Sequence, residues 1–185
     1  MEMALVFLYW RKTLSKRDLS ELETRGLNNE RLINFVVEQT AFFLSLETLT
    51  NEKEAVEILQ GMSEVTSPLM EGQIYPSVED LVQLVDPFEG FKQFFLKGFE
   101  ANKSNGIHDF EIVKNKENEF QVNCTYCAFA EIPLLLTGST KPAIPSCYYD
   151  DLIFPKWKDK LGISYSRSNT IARGGRVCDF RFIRL

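Results

Sequence analysis

Four cysteines and the aspartates beside them are the residues of this chain best suited to do chemistry. All four thiols lie in the C-terminal third of the 185 residues, at Cys124, Cys127, Cys147 and Cys178. A thiolate is a strong nucleophile and metal ligand, whereas a carboxylate carries protons, orients water or binds a cation. The sequence therefore leaves three interpretations open: a reactive thiol site, a zinc site or a set of inert buried thiols.

Cys147 stands where a helix is expected to begin. Pro145 and Ser146 are typical of a helix start, which would place Cys147 in the first turn, where free N–H groups and the helix dipole favour a thiolate. We therefore expect Cys147 to be the most activated thiol. Asp150 and Asp151 follow on the same helical face, and their charge opposes thiolate formation while suiting them to carry a proton or bind a cation.

Cys124 and Cys178 fall in segments that alternate like strands. Alternation predicts that both thiols face the interior. Their expected companions are apolar residues on the same face of each strand: Phe120, Val122 and Tyr126 with Cys124, and Phe180 and Phe182 with Cys178. Asp179 and Arg181 would then share the opposite face of the last strand, where pairing with a neighbouring charge is the ordinary expectation.

A zinc site is disfavoured by the spacing of the thiols. Cys124 and Cys127 form a C-x2-C step, but Cys147 and Cys178 are widely separated and supply no second step. We therefore expect no cofactor, and Cys127 suits a buried thiol that packs as a small apolar residue. His108 is the only histidine, and its place in a loop before the first strand predicts a solvated surface residue.

Charge and composition exclude several classes of partner. The net charge is −5 and the basic residues are dispersed, so we expect no nucleic acid. The apolar run from Ala4 to Trp10 is too short for a membrane span and lacks the pattern of a signal peptide. It predicts the start of a buried or interfacial helix and no membrane partner. Cysteines without a secretion signal favour a reducing, cytoplasmic setting.

The elements that must position these residues divide the chain in two. Residues 1–105 show helical spacing with N-cap signals at Asn28 or Asn29, Asn51 and Ser77. A stripe of aromatic residues after Pro87 is typical of a core-facing helix rather than of a cofactor slot. The stripe consists of Phe88, Phe91, Phe95 and Phe99.

Residues 106–185 predict two hairpins and a short helix. The first hairpin joins "DFEIV" to "EFQVNCTY", and the second joins "GISYSRSNTIA" to "RVCDFRFIRL" through an "RGG" turn. Between them lie a stretch punctuated by Pro and Gly and a helix candidate that Pro155 interrupts. The sequence thus predicts a single α+β domain over 1–185, with a helical N-terminal half packed on an antiparallel sheet formed mainly by the C-terminal half.

Four segments in this order resemble a known family. "NCTY", "CYYD", "RSNTIARGG" and "CDFRF", within residues 120 to 182, are similar to the L-2-amino-thiazoline-4-carboxylic acid hydrolases. The resemblance implies hydrolytic opening of a small cyclic amidine thioether to a carbamoyl cysteine. It also implies a set of site residues: Cys124, Cys147, Asp150, Arg167, Thr170, Cys178 and Asp179.

Chemical roles follow from the resemblance. We expect Cys147 or Cys178 as the nucleophile and Asp150 or Asp179 as the proton carrier. Arg167 would clamp the substrate carboxylate, and Thr170 and Cys124 would contact the substrate, although Thr170 equally suits pairing across the hairpin. The partner would be a small molecule, and a homo-oligomer is compatible with the sequence.

A different class of function remains open. A glycine turn followed by a cysteine and alternating aromatic residues also resembles ligand-binding domains of the 4-vinyl reductase type. In that case the cysteines would line the pocket of a non-catalytic binding module, or hold a metal.

Overall fold

The computed structural model describes residues 2–185 and has an α+β fold, as the sequence predicted. The first half is helical, with α1 Glu2–Leu14, α2 Ser20–Thr24, α3 Glu30–Leu49, α4 Glu52–Met70, α5 Val78–Val82 and α6 Pro87–Ser104. The second half is mixed, with β1 His108–Asn115, β2 Glu119–Cys127, α7 Ala128–Thr137, α8 Ile144–Ile153, α9 Trp157–Leu161, β3 Ile163–Ser166 and β4 Cys178–Arg184.

Three N-caps that the sequence indicated are present. The side chains of Asn29, Asn51 and Ser77 each accept a hydrogen bond from the backbone N–H three residues later, at 3.1, 3.0 and 3.0 Å. Each bond satisfies a donor that the first helical turn leaves without a partner. Local side-chain chemistry is therefore enough to start α3, α4 and α5 at the expected residues.

The four strands form one antiparallel sheet in the order β1-β2-β4-β3. Both predicted hairpins are confirmed. The second is shorter than expected, because β3 ends at Ser166 and residues 167–177 form a loop with a 3-10 turn at Ile171–Arg173. Arg167 and Thr170 thus belong to a loop rather than to a strand.

A bulge in β2 makes one prediction wrong. Two consecutive residues of β1 face Cys124 and Tyr126, so Thr125 between them has no partner in the ladder. Because one extra residue interrupts the alternation, the side chains after it point to the opposite faces from those that simple alternation predicts. Tyr126 therefore packs with the helices instead of with Cys124, and the buried Cys127 lies on the Cys124 side.

The aromatic stripe of α6 packs on the inner face of the sheet, which confirms it as core. Phe91 is fully buried, and its ring centroid lies 4.5 Å from that of Phe182 and 5.2 Å from that of Trp157. Phe95 contacts the rings of Phe120 and Phe182 in the same layer. The opposite face of β2 and β4 carries mainly polar residues, among them Gln121, Asn123, Asp179 and Arg181.

Helix α7 was not predicted. Its ten residues, "AFAEIPLLLT", are apolar on nearly every side and include Pro133, so they show neither helical periodicity nor a cap signal. The helix lies between the sheet and α3, and its buried side chains, such as Ile132 and Leu136, join the core of the helical layer. Gly138 ends it with φ at +77°, a conformation that favours glycine.

Helix α1 is largely exposed. Leu14 is its one buried residue among those described, while Leu5, Leu8 and Tyr9 are more than half exposed. Within residues 2–185, α3 is the one helix long and apolar enough to span a membrane by length and composition. A core helix passes the same test, and α3 packs against α1, α4 and α7.

Candidate functional site

A cavity of about 580 Å³ lies between α6, α8 and the sheet, where β1 begins, β2 ends and β4 begins. Five of the seven residues that the sequence singled out line it: Cys124, Cys147, Asp150, Arg167 and Cys178. Cys127 lines it as well. Asp179 and Thr170 are not among its lining residues.

Helix α8, which carries Cys147 and Asp150, is held by the helical layer. The Gln39 side chain of α3 forms hydrogen bonds with the Ser146 hydroxyl at 2.7 and 3.0 Å. From α4, the hydroxyls of Ser63 and Thr66 bond the Pro145 carbonyl at 3.3 Å and the Tyr149 hydroxyl at 2.7 Å. The N-terminal half therefore positions α8, although none of the four cysteines lies in that half.

Cys147 is not an activated thiol, which overturns our expectation. Helix α8 begins at Ile144 and follows a 3-10 turn at Lys141–Ala143, so Cys147 lies beyond the open first turn. Burial raises the pKa of the Cys147 thiol well above its usual range, and the neighbouring Cys127 and Asp150 raise it further. Cys147 is therefore a protonated thiol at neutral pH.

Cys178 has the opposite environment. It lies directly across from Cys124 in the β2–β4 register, and its Sγ accepts a hydrogen bond from the Ile171 N–H at 3.3 Å. A hydrogen bond from the Cys124 thiol lowers the pKa of Cys178 against the effect of burial, and the Ile171 N–H and the Arg167 cation lower it further. Cys178 is thus the thiol most ready to ionise.

Cys124 serves as the donor of this pair. The hydrogen bond to Cys178, followed by burial, raises the pKa of Cys124 far above its usual range. Its Sγ also lies 3.0 Å from the Tyr126 carbonyl oxygen, so one thiol proton has two acceptors. The raised pKa keeps the proton on Cys124, so Cys178 is the member of the pair that ionises first.

Arg167 is a buried anchor rather than a free clamp. Its side chain is 1% exposed, and its terminal nitrogens lie 2.7 Å from Asp150 Oδ2, 2.9 Å from Asp151 Oδ1 and 2.7 Å from the Cys147 carbonyl oxygen. The guanidinium carbon lies 5.2 Å from the centroid of the Phe180 ring. These contacts occupy both terminal nitrogens and fix Asp150 and Asp151 on one side of α8.

Asp150 has a raised pKa because its carboxyl is buried. Burial raises the pKa of this carboxyl, while the Arg167 cation and a 2.7 Å hydrogen bond donated by the Tyr75 hydroxyl act in the opposite direction. A carboxyl with a raised pKa can donate a proton as well as accept one. Tyr75 lies in the segment after α4, and no sequence pattern points to it.

Asp179 faces away from the cavity, as alternation predicted. Its carboxylate accepts hydrogen bonds from the Ser168 N–H at 2.9 Å, from the Asn169 N–H at 2.6 Å and from the Ser168 hydroxyl. Burial opposes ionisation, but these bonds outweigh it and lower the pKa of Asp179. Asp179 therefore holds the loop that begins with Arg167.

The replacement Asp179→Asn tests this positioning role. An amide turns donors toward the loop N–H groups, so we expect a loss of about 1–2 kcal/mol in the free energy of unfolding at pH 7. The wild-type contribution is present above the unfolded pKa of an aspartate and disappears as the pH falls through the lower folded pKa. Denaturant titrations at pH 7 and pH 3 should therefore differ more for the wild type than for the variant.

Asp159→Asn is the matched control, because Asp159 is exposed on α9. We expect no measurable change in its unfolding. Equal stability of Asp179→Asn and Asp159→Asn at pH 7 would contradict the role assigned to Asp179.

Thr170 lies on the other side of Arg167. It is buried and lines a separate depression of about 180 Å³ together with Asp151, Arg167 and Gly175. Its carbonyl oxygen accepts hydrogen bonds from the Arg173 and Gly175 N–H groups at 3.1 and 2.9 Å. The backbone of Thr170 thus closes the "RGG" turn. Because Thr170 does not line the large cavity, its predicted contact with a substrate there gains no support.

His108 is not a surface residue, contrary to our prediction. It begins β1, lines the large cavity and stacks between Phe99 and Phe129, with ring centroids 5.5 and 6.2 Å away. Burial lowers the pKa of His108 to about 4, so the ring is neutral at pH 7. Extending the alternation of Phe110 back by two residues would have placed His108 on the inner face.

No three His, Cys, Asp or Glu side chains within residues 2–185 are grouped so that they could hold a metal ion. The four thiols line one cavity without forming such a group. The zinc interpretation therefore gains no geometric support, and the expectation of no cofactor stays a prediction.

The fold and site together define a class of protein: an α+β fold in which helices and an antiparallel sheet enclose a cavity whose inner end carries a thiol, a carboxyl and a guanidinium. Residues 34–182 match the sequence model of the L-2-amino-thiazoline-4-carboxylic acid hydrolase family, and the chain belongs to this family. None of the curated proteins compared with the chain matches it. The family name supports hydrolase activity on a thiazoline-like substrate.

Proposed function

We propose that this protein opens a thiazoline-like cyclic amidine by hydrolysis, with Cys178 as the nucleophile. The observation that carries the proposal is the meeting of Cys178, Asp150 and Arg167 at one cavity, in a chain of this family. The lowered pKa of Cys178 supports its choice over Cys147, whose pKa is raised.

The first step forms a bond between sulfur and carbon. The Cys178 thiolate attacks the amidine carbon of the ring, and the electron pair of the C=N bond moves to nitrogen. The bond between this carbon and the ring sulfur then breaks, and Asp150 donates its proton to the departing sulfur. The product of this half-reaction is an isothiourea joined to Cys178, with the ring opened to a free thiol.

Water completes the reaction. Asp150, now a carboxylate, accepts a proton from a water molecule that attacks the isothiourea carbon. The carbon–sulfur bond to Cys178 breaks, the thiolate is restored and a urea remains. The net change is the addition of one water to the substrate, which gives a carbamoyl cysteine from the unsubstituted thiazoline carboxylate.

The substrate in this proposal is the neutral amidine, because Asp150 supplies the proton that the departing sulfur takes up. Arg167 holds Asp150 at 2.7 Å and Asp151 at 2.9 Å. In this proposal Arg167 is a positioning residue that aims Asp150, rather than a clamp for the substrate carboxylate.

The proposal is tested by measuring the incorporation of water into the product. Purified protein is incubated with 2-amino-thiazoline-4-carboxylate in ¹⁸O-labelled water, and the products are measured by mass spectrometry. We expect a product heavier by one labelled water and one new free thiol for each ring opened, detected with a thiol reagent. The control is the same mixture with heat-denatured protein.

The contradicting result is a ring that remains intact although calorimetry shows that it binds. That outcome would favour a non-catalytic binding module. The largely apolar wall of the cavity is compatible with this class.

A further inference from the structure

The cavity is much larger than the ring that the proposed reaction opens. A thiazoline carboxylate has about nine non-hydrogen atoms, and even at the roughly 30 Å³ that each molecule of liquid water occupies it would fill less than half of 580 Å³. Close-packed sites leave little unfilled volume around a cognate ligand. We therefore expect the substrate to contain further atoms that fill the remaining volume.

The two ends of the cavity differ in chemistry. Asp150 and Arg167, which pair with each other, are the charged residues among its described lining, since His108 is neutral. Three of the four thiols and the Arg167 side chain are buried, and Cys147 and Asp150 are half-buried. The apolar residues Phe35, Ile74 and Phe94 are exposed and mark the mouth.

The wall between the buried end and the mouth is apolar. It is formed largely by Phe91, Phe95 and Phe99 of α6 and by Met70 at the end of α4. Such a wall stabilises methylene and aryl groups at roughly 0.8 kcal/mol per buried methylene, and it leaves a charged group without a partner.

We propose that the substrate is an amphipathic molecule, in which the thiazoline-like ring carries an uncharged alkyl or aryl tail that lies along the α6 aromatic wall toward the mouth. Only the ring end of this inference rests on the proposed function. The tail site rests on the volume, the lining residues and their charge.

Gly98 gives a means of blocking the tail site without disturbing the core. It lies on α6 among the lining residues, and a Cβ built on it meets no atom within 4 Å. The first side-chain atom of Gly98→Leu therefore meets no obstacle, the change raises helix propensity, and we expect the apolar side chain to occupy the outer part of the cavity. Gly61→Leu on α4 is the matched control, because its Cβ is equally free and Gly61 does not line the cavity.

The experiment compares 2-amino-thiazolines that carry no chain, a butyl chain or an octyl chain. One set bears the chain on ring carbon 5 and another bears it as an amide of the carboxylate. For the wild type we expect kcat/KM to rise roughly three- to fourfold per buried methylene in at least one set. Gly98→Leu should lower kcat/KM of the octyl compound at least about tenfold and leave the compound without a chain within about twofold, while Gly61→Leu matches the wild type.

A ring-free probe separates this inference from the proposed function. Octanamide binding is measured by calorimetry with the wild type and both variants, and we expect Gly98→Leu alone to weaken it. If no ring is opened but octanamide binds and is lost in Gly98→Leu, the hydrolase proposal fails and the tail site stands. If rings are opened with an efficiency independent of chain length, or if Gly98→Leu slows all compounds equally, the tail site is refuted.

Discussion

Cys178→Ser is expected to lower kcat at least about a thousandfold, because a serine hydroxyl in this position has no base that ionises it. Cys178 receives hydrogen bonds from the Ile171 N–H and the Cys124 thiol, and Arg167 adds positive charge nearby. These contacts stabilise an anion, so the reactivity belongs to the thiolate. The measurement is kcat for ring opening together with a thermal melt that shows the variant folded.

Cys147→Ser is the matched control, because it makes the same change in the same cavity at a thiol whose pKa is raised. We expect its kcat to stay within about threefold of the wild type, since a protonated thiol contributes no nucleophile. Full activity of Cys178→Ser, or complete loss in Cys147→Ser, would show that the nucleophile is assigned to the wrong thiol.

Alkylation by iodoacetamide measures the reactivity of Cys178 and Cys147 in the absence of substrate. The reagent reacts with thiolates, so Cys178 should be modified at a lower pH than Cys147 when peptides are quantified by mass spectrometry. In Cys124→Ala the donor to Cys178 is lost, and the pH at which Cys178 reacts should move upward. An unchanged pH profile in Cys124→Ala would mean that the Cys124 thiol does not support the anion.

Arg167→Met is expected to cost about 3–5 kcal/mol in the free energy of unfolding at pH 7. The replacement keeps an apolar stem of similar length but leaves Asp150 without its buried cationic partner. The pKa of Asp150 in the folded variant should then rise further, because burial already raises it. The variant should therefore lose stability as the pH rises from acid to neutral, which denaturant titrations at several pH values would measure.

Arg181→Met supplies the matched control. Arg181 is exposed on β4 and donates a hydrogen bond to the Gln121 side chain at 3.0 Å, so we expect a change within about 0.5 kcal/mol. The double variant Arg167→Met with Asp150→Asn should recover part of the loss, because the unpaired charge is removed. Equal unfolding midpoints for Arg167→Met and Arg181→Met would contradict the assignment of Arg167 as a buried anchor.

The features that the sequence predicted well depend on neighbours along the chain. A cap needs a side chain and the N–H three residues later, which is why the predictions at Asn29, Asn51 and Ser77 are confirmed. The stripe of α6 follows from helical periodicity alone, and the opposite facing of Cys178 and Asp179 follows from alternation. The α+β class follows from the order of such elements.

The errors arise where a local pattern is absent or interrupted. Helix α7 has no polar face, so it shows no periodicity, and one unpaired residue at Thr125 reverses every facing assignment beyond it. His108 directly precedes the segment "DFEIV" in which the sequence shows strand alternation, so the pattern did not include it.

Residue types and their order along the chain thus determined the fold class, the family and five of the residues that line the cavity. The tertiary structure alone decided which thiol has a lowered pKa, because a pKa depends on burial and on groups brought in from distant segments. Tyr75, Asp150, Arg167 and Cys178 come from four separate stretches, and only folding places them around one cavity. The Cys124 thiol, from another strand, lowers the pKa of Cys178, whereas burial raises the pKa of Cys147, although Cys147 has the more favourable position by sequence.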